Sequence, residues 1–286
     1  MLTIFSNPRP FRGIFGIIQR NAIKSWTLLW PKCEIILFED EEKTTSKIAK
    51  EFGVQCITDV KCNEFGTPLL SDVFAKIQKI ANFEIIAQVN TDVILMSDFL
   101  EAVRRLKEYL KEQPFLMVGR RWDLEIKELI NFNETKWEQK LGDRVTKAGK
   151  LHPLSGSDYW VFPRDLSFNP PPFVVGRPGI DSWLIYKART LKIPVVDATE
   201  SITIIHQTHN YPRKKQSFFE IEKKRNLKLA GGFSHMCTLR DADWILTPQS
   251  LKRPPFPRII FSKLSLFWTW QRTLSVKRKL QFILKK

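Results

Sequence analysis

Several side chains able to do chemistry fall just after apolar runs that read as strands. Ser6-Asn7 closes the run Leu2–Ser6, Glu39-Asp40 follows Glu34–Phe38, and Asn90-Thr91-Asp92 follows Glu84–Val89. In an open α/β sheet the ligand crevice lies outside the carboxyl ends of the strands, which is where these groups sit. A carboxylate there, Asp92 above all, can bind a hard divalent cation, and that cation can hold a diphosphate. A single such Asp is more often a turn residue, so it gains weight only in combination. His206-Gln-Thr-His209 follows a later strand and places two of the four histidines in one loop. Imidazole and carboxylate together suit Mn2+ and similar ions. Strand alternation would send the two rings to opposite faces, which leaves at most one of them as a ligand.

Two further acids stand in Gly/Ser-rich surroundings. Asp181, in Gly176-Arg-Pro-Gly-Ile-Asp181-Ser-Trp183, opens a helical stretch. It can be an N-cap, or a carboxylate that takes a proton from a hydroxyl. Asp158, in Leu154-Ser-Gly-Ser-Asp158-Tyr-Trp160, is either a turn former or a hydroxyl ligand beside aromatic rings. The chain has nine Trp, and most of them are expected in the core.

These groups need a scaffold, and the first 120 residues supply its pattern. Strand-like runs at Leu2–Ser6, Glu34–Phe38, Val54–Ile57, Glu84–Val89 and Phe115–Gly119 alternate with helical spacing over Ile14–Trp30, Thr45–Phe52, Leu69–Ile80 and a helix to Leu110. Asp98-x-x-Glu101 reads as the capping box of that last helix. Near-continuous apolar strands separated by helices point to a mainly parallel α/β sheet covered on both faces. Beyond Arg121 the pattern loosens. Leu124–Leu141 reads as a polar helix, Tyr159–Phe162 as a strand, Asp181–Leu191 as a helix, Val195–Val196 and Ile202–His206 as strands, and 212–250 as largely polar.

Composition excludes whole classes. The 286 residues hold 43% apolar and 27% charged residues, with 17 Pro and 12 Gly, so disorder, collagen and coiled coil are out. Cys33, Cys56, Cys62 and Cys237 form no C-x-x-C pair, and reduced thiols in a cytoplasmic protein are expected. No secretory signal is visible, and the run Ile259–Trp270 falls short of the ~20 apolar residues of a membrane-spanning helix.

The blocks Gln19–Trp26, Glu34–Asp40, Glu64–Leu70, Val89–Ile94, Gly156–Phe162, Gly176–Asp181 and Ile205–His209, in this order and spacing, resemble the GT-A-fold, nucleotide-diphosphosugar glycosyltransferases over about residues 1–211. The resemblance implies a Rossmann-like sheet, a nucleotide-sugar donor, a glycan or other hydroxyl acceptor, and a divalent metal, Mn2+ or Mg2+, at a D-x-D-type motif. That motif falls on Asn90-Thr91-Asp92, with Asn90 in place of the first acid and Asp92 as metal ligand, joined by His206 and His209. Phe5, Ser6, Asn7, Arg20, Asp40 and Asn90 match the nucleotide side. Asp158, Trp160 and Arg177 are expected on the acceptor side, with Asp181 near the reacting hydroxyl. A catalytically silent binding or scaffolding domain is the alternative that Asn90 keeps open.

Charge sets the C-terminus apart. Of 46 Lys+Arg and 30 Asp+Glu, ten basic and no acidic residues lie in Leu251–Lys286, leaving 36 basic against 30 acidic before it. The chain is expected to divide into a GT-A-like domain at 1–215, a polar connecting region at 216–250 and a basic, aromatic, helical extension at 251–286. Trp and Phe interleaved with Lys and Arg suit an anionic membrane surface, and equally a helix folded back on the body. No recognised nucleic-acid module accompanies the charge, so no nucleic-acid partner is expected. A cytoplasmic protein, peripheral at the membrane, fits this reading.

Overall fold

The computed structural model describes residues 2–209, 216–232 and 235–255. Most of the basic extension, from residue 256 on, lies outside the described residues, as does the reading of it as a helix. The alternation foreseen for the N-terminal half is realised. Strand β1 (Leu2–Ser6) leads to helix α1 (Gly13–Thr27), β2 (Glu34–Phe38), α2 (Thr45–Phe52), β3 (Gln55–Ile57), α3 (Leu70–Ile80), β4 (Ile85–Val89), a two-residue β5 (Val93–Ile94), α4 (Ser97–Leu110) and β6 (Leu116–Val118). The second half adds β7 (Trp122–Leu124), α5 (Trp137–Ala148), β8 (Lys150–Leu151), β9 (Tyr159–Pro163), α6 (Ile180–Thr190), β10 (Val195–Asp197), β11 (Ile205–Gln207), α7 (Gln216–Leu229), β12 (Trp244–Leu246) and β13 (Leu251–Lys252).

The main sheet runs β13-β12-β10-β6-β9-β4-β1-β2-β3. Pairs β1/β2, β1/β4, β2/β3, β6/β10 and β10/β12 are parallel, while β9 runs antiparallel between β4 and β6. Successive strand residues alternate between two cores. Leu2, Ile4, Ile35, Leu37, Ile85 and Ala87 pack with Ala22, Ile23 and Trp26 of α1 and Phe99 and Leu106 of α4. Phe5, Ile36, Phe38 and Ile86 pack with Val73, Phe74 and Ile77 of α3 and Trp183 and Leu184 of α6. Both sheet faces are covered, which is why these strands read as unbroken apolar runs rather than alternating ones.

A second, four-stranded sheet, β5-β11-β7-β8, hangs beside the first. Its strands are two or three residues long, too short to show a period in sequence. The polar helix expected over Leu124–Leu141 is therefore replaced. Trp122–Leu124 is a strand, and the helix starts only at Trp137. Between them Asn131 accepts the Asn133 backbone N–H, the local bonding by which Asn competes with helix. Helix α5 then lays Leu141 and Val145 on Leu124, Ile126 and Ile205.

The capping box at Asp98 does not form either. Helix α4 begins at Ser97 with no side-chain cap, and Asp98 instead accepts the Thr203 backbone N–H. The stretch 216–250 carries α7 and β12, and β12 extends the main sheet beside β10. No helix among the described residues is long and apolar enough to cross a membrane.

Candidate metal and nucleotide site

The strand order 3-2-1-4 at one side of the sheet means that the chain leaves β1 toward β2 and returns on the other side as β4. That reversal is a topological switch point, and the crevice lies beyond the carboxyl ends of β1 and β4. Ser6, Asn7, Asn90, Thr91 and Asp92 are all there.

Helix α1 fixes this end of β4 through polar residues buried in its inner face. The Trp26 indole donates to Val93 O at 3.0 Å, and Ser25 Oγ accepts the Leu95 N–H at 3.1 Å. Asn21, almost fully buried, donates to Glu128 O and to Gln207 Oε1, and accepts from Ile130 N. Gln207 in turn donates from its side chain to Ile18 O, and from its backbone to Asp92 O at 3.0 Å. Ser6 joins the same clamp, donating to Val89 O and lying 2.9 Å from Thr91 Oγ1. The β4–β5 turn is thus held from three sides.

The turn presents Asp92 to both histidines. Asp92 Oδ2 lies 3.1 Å from His209 Nε2 and 3.6 Å from His206 Nε2. These three side chains are the one group of metal-ligating residues found among the described residues, with donor atoms within 4.8 Å of one another. The expectation that only one imidazole could take part is corrected. Strand β11 ends at Gln207, so alternation governs His206 but not His209, which turns back in the following loop. Burial alone would raise the Asp92 carboxyl. Hydrogen bonds and charge from His206 and His209 outweigh it and hold it well below the usual carboxylate range. His206 is pushed the other way. Burial would lower it, but Asp92 raises it above an ordinary imidazole.

A divalent cation fits this set. Asp92 Oδ1 is buried with no hydrogen-bond partner, an expensive state for a carboxylate oxygen unless a cation meets it. Two imidazoles and one carboxylate are also a donor set suited to first-row transition ions. Asn90, at the position of the missing acid, is committed elsewhere. Its Nδ2 donates to Asp158 Oδ1 at 2.9 Å, and its Oδ1 accepts from Gln88.

The remaining sequence candidates separate into two groups. Asn7 stays in the crevice, with a buried Nδ2 that lacks a partner. Phe5 is fully buried, edge-on to Phe74 in the core. Arg20 is engaged with Glu51 of α2 and with the Gly16 carbonyl. Asp40 accepts from the backbone of Glu42, Thr44 and Thr45 and from both threonine hydroxyls, organising the start of α2. Burial works against that charge, but the threonine hydrogen bonds keep the Asp40 carboxyl below its ordinary value. Arg177 is tied to Glu222 of α7 at 2.7 Å.

On the other flank Asp158 is buried, accepting from Asn90 on one oxygen and from Arg121 at 2.6 Å on the other. Trp160 is buried in β9. Asp181 sits in the first turn of α6, approached through Gly179, whose φ of 107° only glycine adopts without strain. Gly179 is the N-cap, so Asp181 is not held as one. Burial, then the Asp158 charge, push its carboxyl up to about 7, against the opposing pull of Arg121, the Ser157 backbone and Trp160. A carboxylate poised near neutrality is suited to proton transfer.

Sequence reasoning missed Arg121, Asp123 and His152. Arg121 and Asp123 follow β6 as Asp92 follows β4, so the strand-end rule could have found them. Arg9 also gains a place. Its guanidinium lies 5.5 Å over Phe15, whose ring packs edge-on against His209 at 4.8 Å. It also lies near Gly176, where a Cβ would come within 3.9 Å of it.

No protein-family model and no curated protein matches the chain. Among solved structures it is similar to three transferases. Staphylococcus aureus TarS in complex with UDP-GlcNAc matches at 12% identity and a TM-score of 0.34, over 46% of this chain and 37% of that one, little more than a third of its length. Glucosyl-3-phosphoglycerate synthase of Mycobacterium tuberculosis, with Mn2+ and UDP, matches at 15% identity and 0.48, over 81% and 80%. A mannosyltransferase of Pyrobaculum calidifontis, with GDP-Man and Mn2+, matches at 11% identity and 0.47, over 80% and 62%.

Proposed function

We propose that the chain is a metal-dependent glycosyltransferase that moves a sugar from a nucleotide-diphosphate donor to a hydroxyl acceptor. The observation that carries this reading is the Asp92, His206 and His209 cluster at the switch point between β1 and β4. The ordered likeness of residues 1–211 to GT-A glycosyltransferases supports it.

Asp92, His206 and His209 would hold Mn2+ or Mg2+, which would offset charge on the departing diphosphate. The chain's own residues do the rest. Arg9 flanks the cluster and supplies a second positive charge for the leaving group. Asn7, just after β1, has a buried amide nitrogen without a hydrogen-bond partner that would donate to the nucleotide. Asp181, ionised above about pH 7, accepts the proton of the attacking hydroxyl. Asp158 and Arg121 keep Asn90 and the β9 end in place around it. Basic and aromatic residues in 256–286 would bring the enzyme to an anionic membrane surface, where a lipid-linked or polysaccharide acceptor resides.

Incubating purified protein with a panel of nucleotide sugars and Mn2+, and following nucleotide release, tests the reading. Release that disappears in Asp92→Ala is expected. No release with any donor, together with nucleotide binding unchanged by Asp92→Ala, would overturn it. Melting that rises with UDP or GDP plus Mn2+ but without turnover would instead favour the silent binding domain that Asn90 leaves open.

A further inference from the structure

The Nδ1 side of His206 faces a second carboxylate, and this points to a residue that neither the sequence nor the proposed chemistry assigns. His206 on β11 and Asp123 on β7 are register partners in a parallel pair, so their side chains stand on the same face of the four-stranded sheet. His206 Nε2 faces Asp92 at 3.6 Å, while its Nδ1 lies 3.0 Å from Asp123 Oδ1. One imidazole therefore lies between two carboxylates, one near each ring nitrogen, with Nδ1 at ion-pair distance from Asp123 but not aligned for a hydrogen bond to it.

Asp123 is itself held on several sides. Arg121 Nε donates to Oδ1 at 2.8 Å, and His152 Nδ1 lies 2.8 Å from Oδ2. The Arg121 guanidinium continues to Asp158 Oδ2, which ties this carboxylate to the loop that fixes Asn90. His152 Nε2 backs onto Gly156, where an added Cβ would come within 3.0 Å of it, so the loop packs the His152 ring in place. Strand β8 pairs Lys150 with Asp123, which brings His152, two residues on, to the same edge.

We propose that Asp123 is the positioning residue of the cation site: its carboxylate holds the Nδ1 edge of His206 so that Nε2 is turned toward the ion at Asp92. The inference rests on the metal reading above. A ligating imidazole whose other nitrogen is held by a carboxylate has its tautomer and ring plane fixed, and its basicity raised. Asp123 does not join the ligand group itself, since the cluster of donor atoms comprises only Asp92, His206 and His209 among the described residues. His152 and Arg121 in turn keep Asp123 from rotating away.

The test measures Mn2+ affinity of the full chain without nucleotide, by electron paramagnetic resonance of free Mn2+. Asp123→Ala is expected to weaken binding by about 10–100-fold, the usual cost of losing an outer-shell partner. Asp123→Asn, which keeps shape and one acceptor oxygen, should fall between it and the unaltered protein. In both variants the visible spectrum of the Co2+-loaded protein should shift, which a merely structural role would not produce. Mn2+ affinity unchanged in Asp123→Ala, with or without a lower Tm, overturns the proposal. So does a loss as complete as that of Asp92→Ala, which would make Asp123 a direct ligand. Absence of Mn2+ binding in the unaltered protein overturns it as well. Because no donor is present, the transferase reading can fail, through lack of turnover, while a 10–100-fold loss still establishes Asp123 in this role.

Discussion

Asp181 offers a pH test that separates stability from activity. Its carboxyl is raised to about 7 in the fold, against an ordinary value near 3.8. With the folded value the higher one, the native state binds the extra proton. The favourable contribution is complete below about pH 4 and is lost as pH rises through 7. Asp181→Asn carries no charge at any pH, so its Tm should exceed that of the unaltered protein by roughly 3–10 °C at pH 8 and by less at pH 5. Turnover should fall at least about 100-fold in the same variant, the scale of a lost general base. A lower Tm at pH 8 would show that the buried charge is compensated. Stability gained where activity is lost is the signature of a functional group held in an unfavourable state.

Other residue positions mark how far side-chain types can be read without coordinates. Asp92 stands out in the sequence because it follows the buried strand β4. Phe5, Arg20 and Asp40 are equally plausible candidates by the resemblance, yet neighbours occupy them. Phe74 packs on the first, Glu51 pairs with the second, and two threonines surround the third. Whether a polar group is left over for a ligand can depend on partners 30 or more residues away, as with Glu51 and Arg20, and spacing cannot show that.

Among the elements, α1 carries more of the site than its sequence advertises. Its buried Asn21, Ser25 and Trp26 hold the turn that bears Asp92. Asn21→Ala leaves Gln207 Oε1, Glu128 O and Ile130 N without their partner. It should destabilise the fold by about 2–4 kcal/mol, more than a surface change, because Gln207, left with an unpaired amide oxygen, is fully buried. Mn2+ affinity should fall with it, since Gln207 stands between the two histidines of the proposed metal site. Denaturant unfolding and Mn2+ titration of the same variant check both; loss of stability with intact affinity would confine α1 to packing. At the α6 start, Gly179→Ala should cost about 1–2 kcal/mol through its φ alone.

Elements with a long apolar run were legible, and those without one were not. Strands β1, β2 and β4 and helices α1 to α4 have enough residues for their period to show. The four-stranded sheet is assembled from strands of two or three residues, so Leu124 reads as the start of a helix and Trp122 and Asp123 as no element at all. This small sheet is what brings Asp123, His152 and His206 together. The region least legible in sequence therefore contributes much of the proposed cation site.

At the scale of the whole molecule, the sheet order turns local strand ends into one crevice, while the charge of the chain is concentrated elsewhere. Only 251–255 of the ten-charge extension are described, and these include β13, which closes the edge of the main sheet beside β12. Truncation after Pro255 should leave Tm and Mn2+ affinity within error and abolish sedimentation with phosphatidylserine vesicles at low salt. Vesicle binding that survives truncation would place the membrane contact on the remaining chain, whose 38 basic against 30 acidic residues leave a modest positive charge.

The most direct test is calorimetric titration of UDP and GDP into the protein with and without Mn2+, repeated on Asp92→Ala. The account predicts that at least one diphosphate binds only when Mn2+ is present, and that the variant loses this binding. Equal affinity with and without the ion, or in the variant, would contradict it.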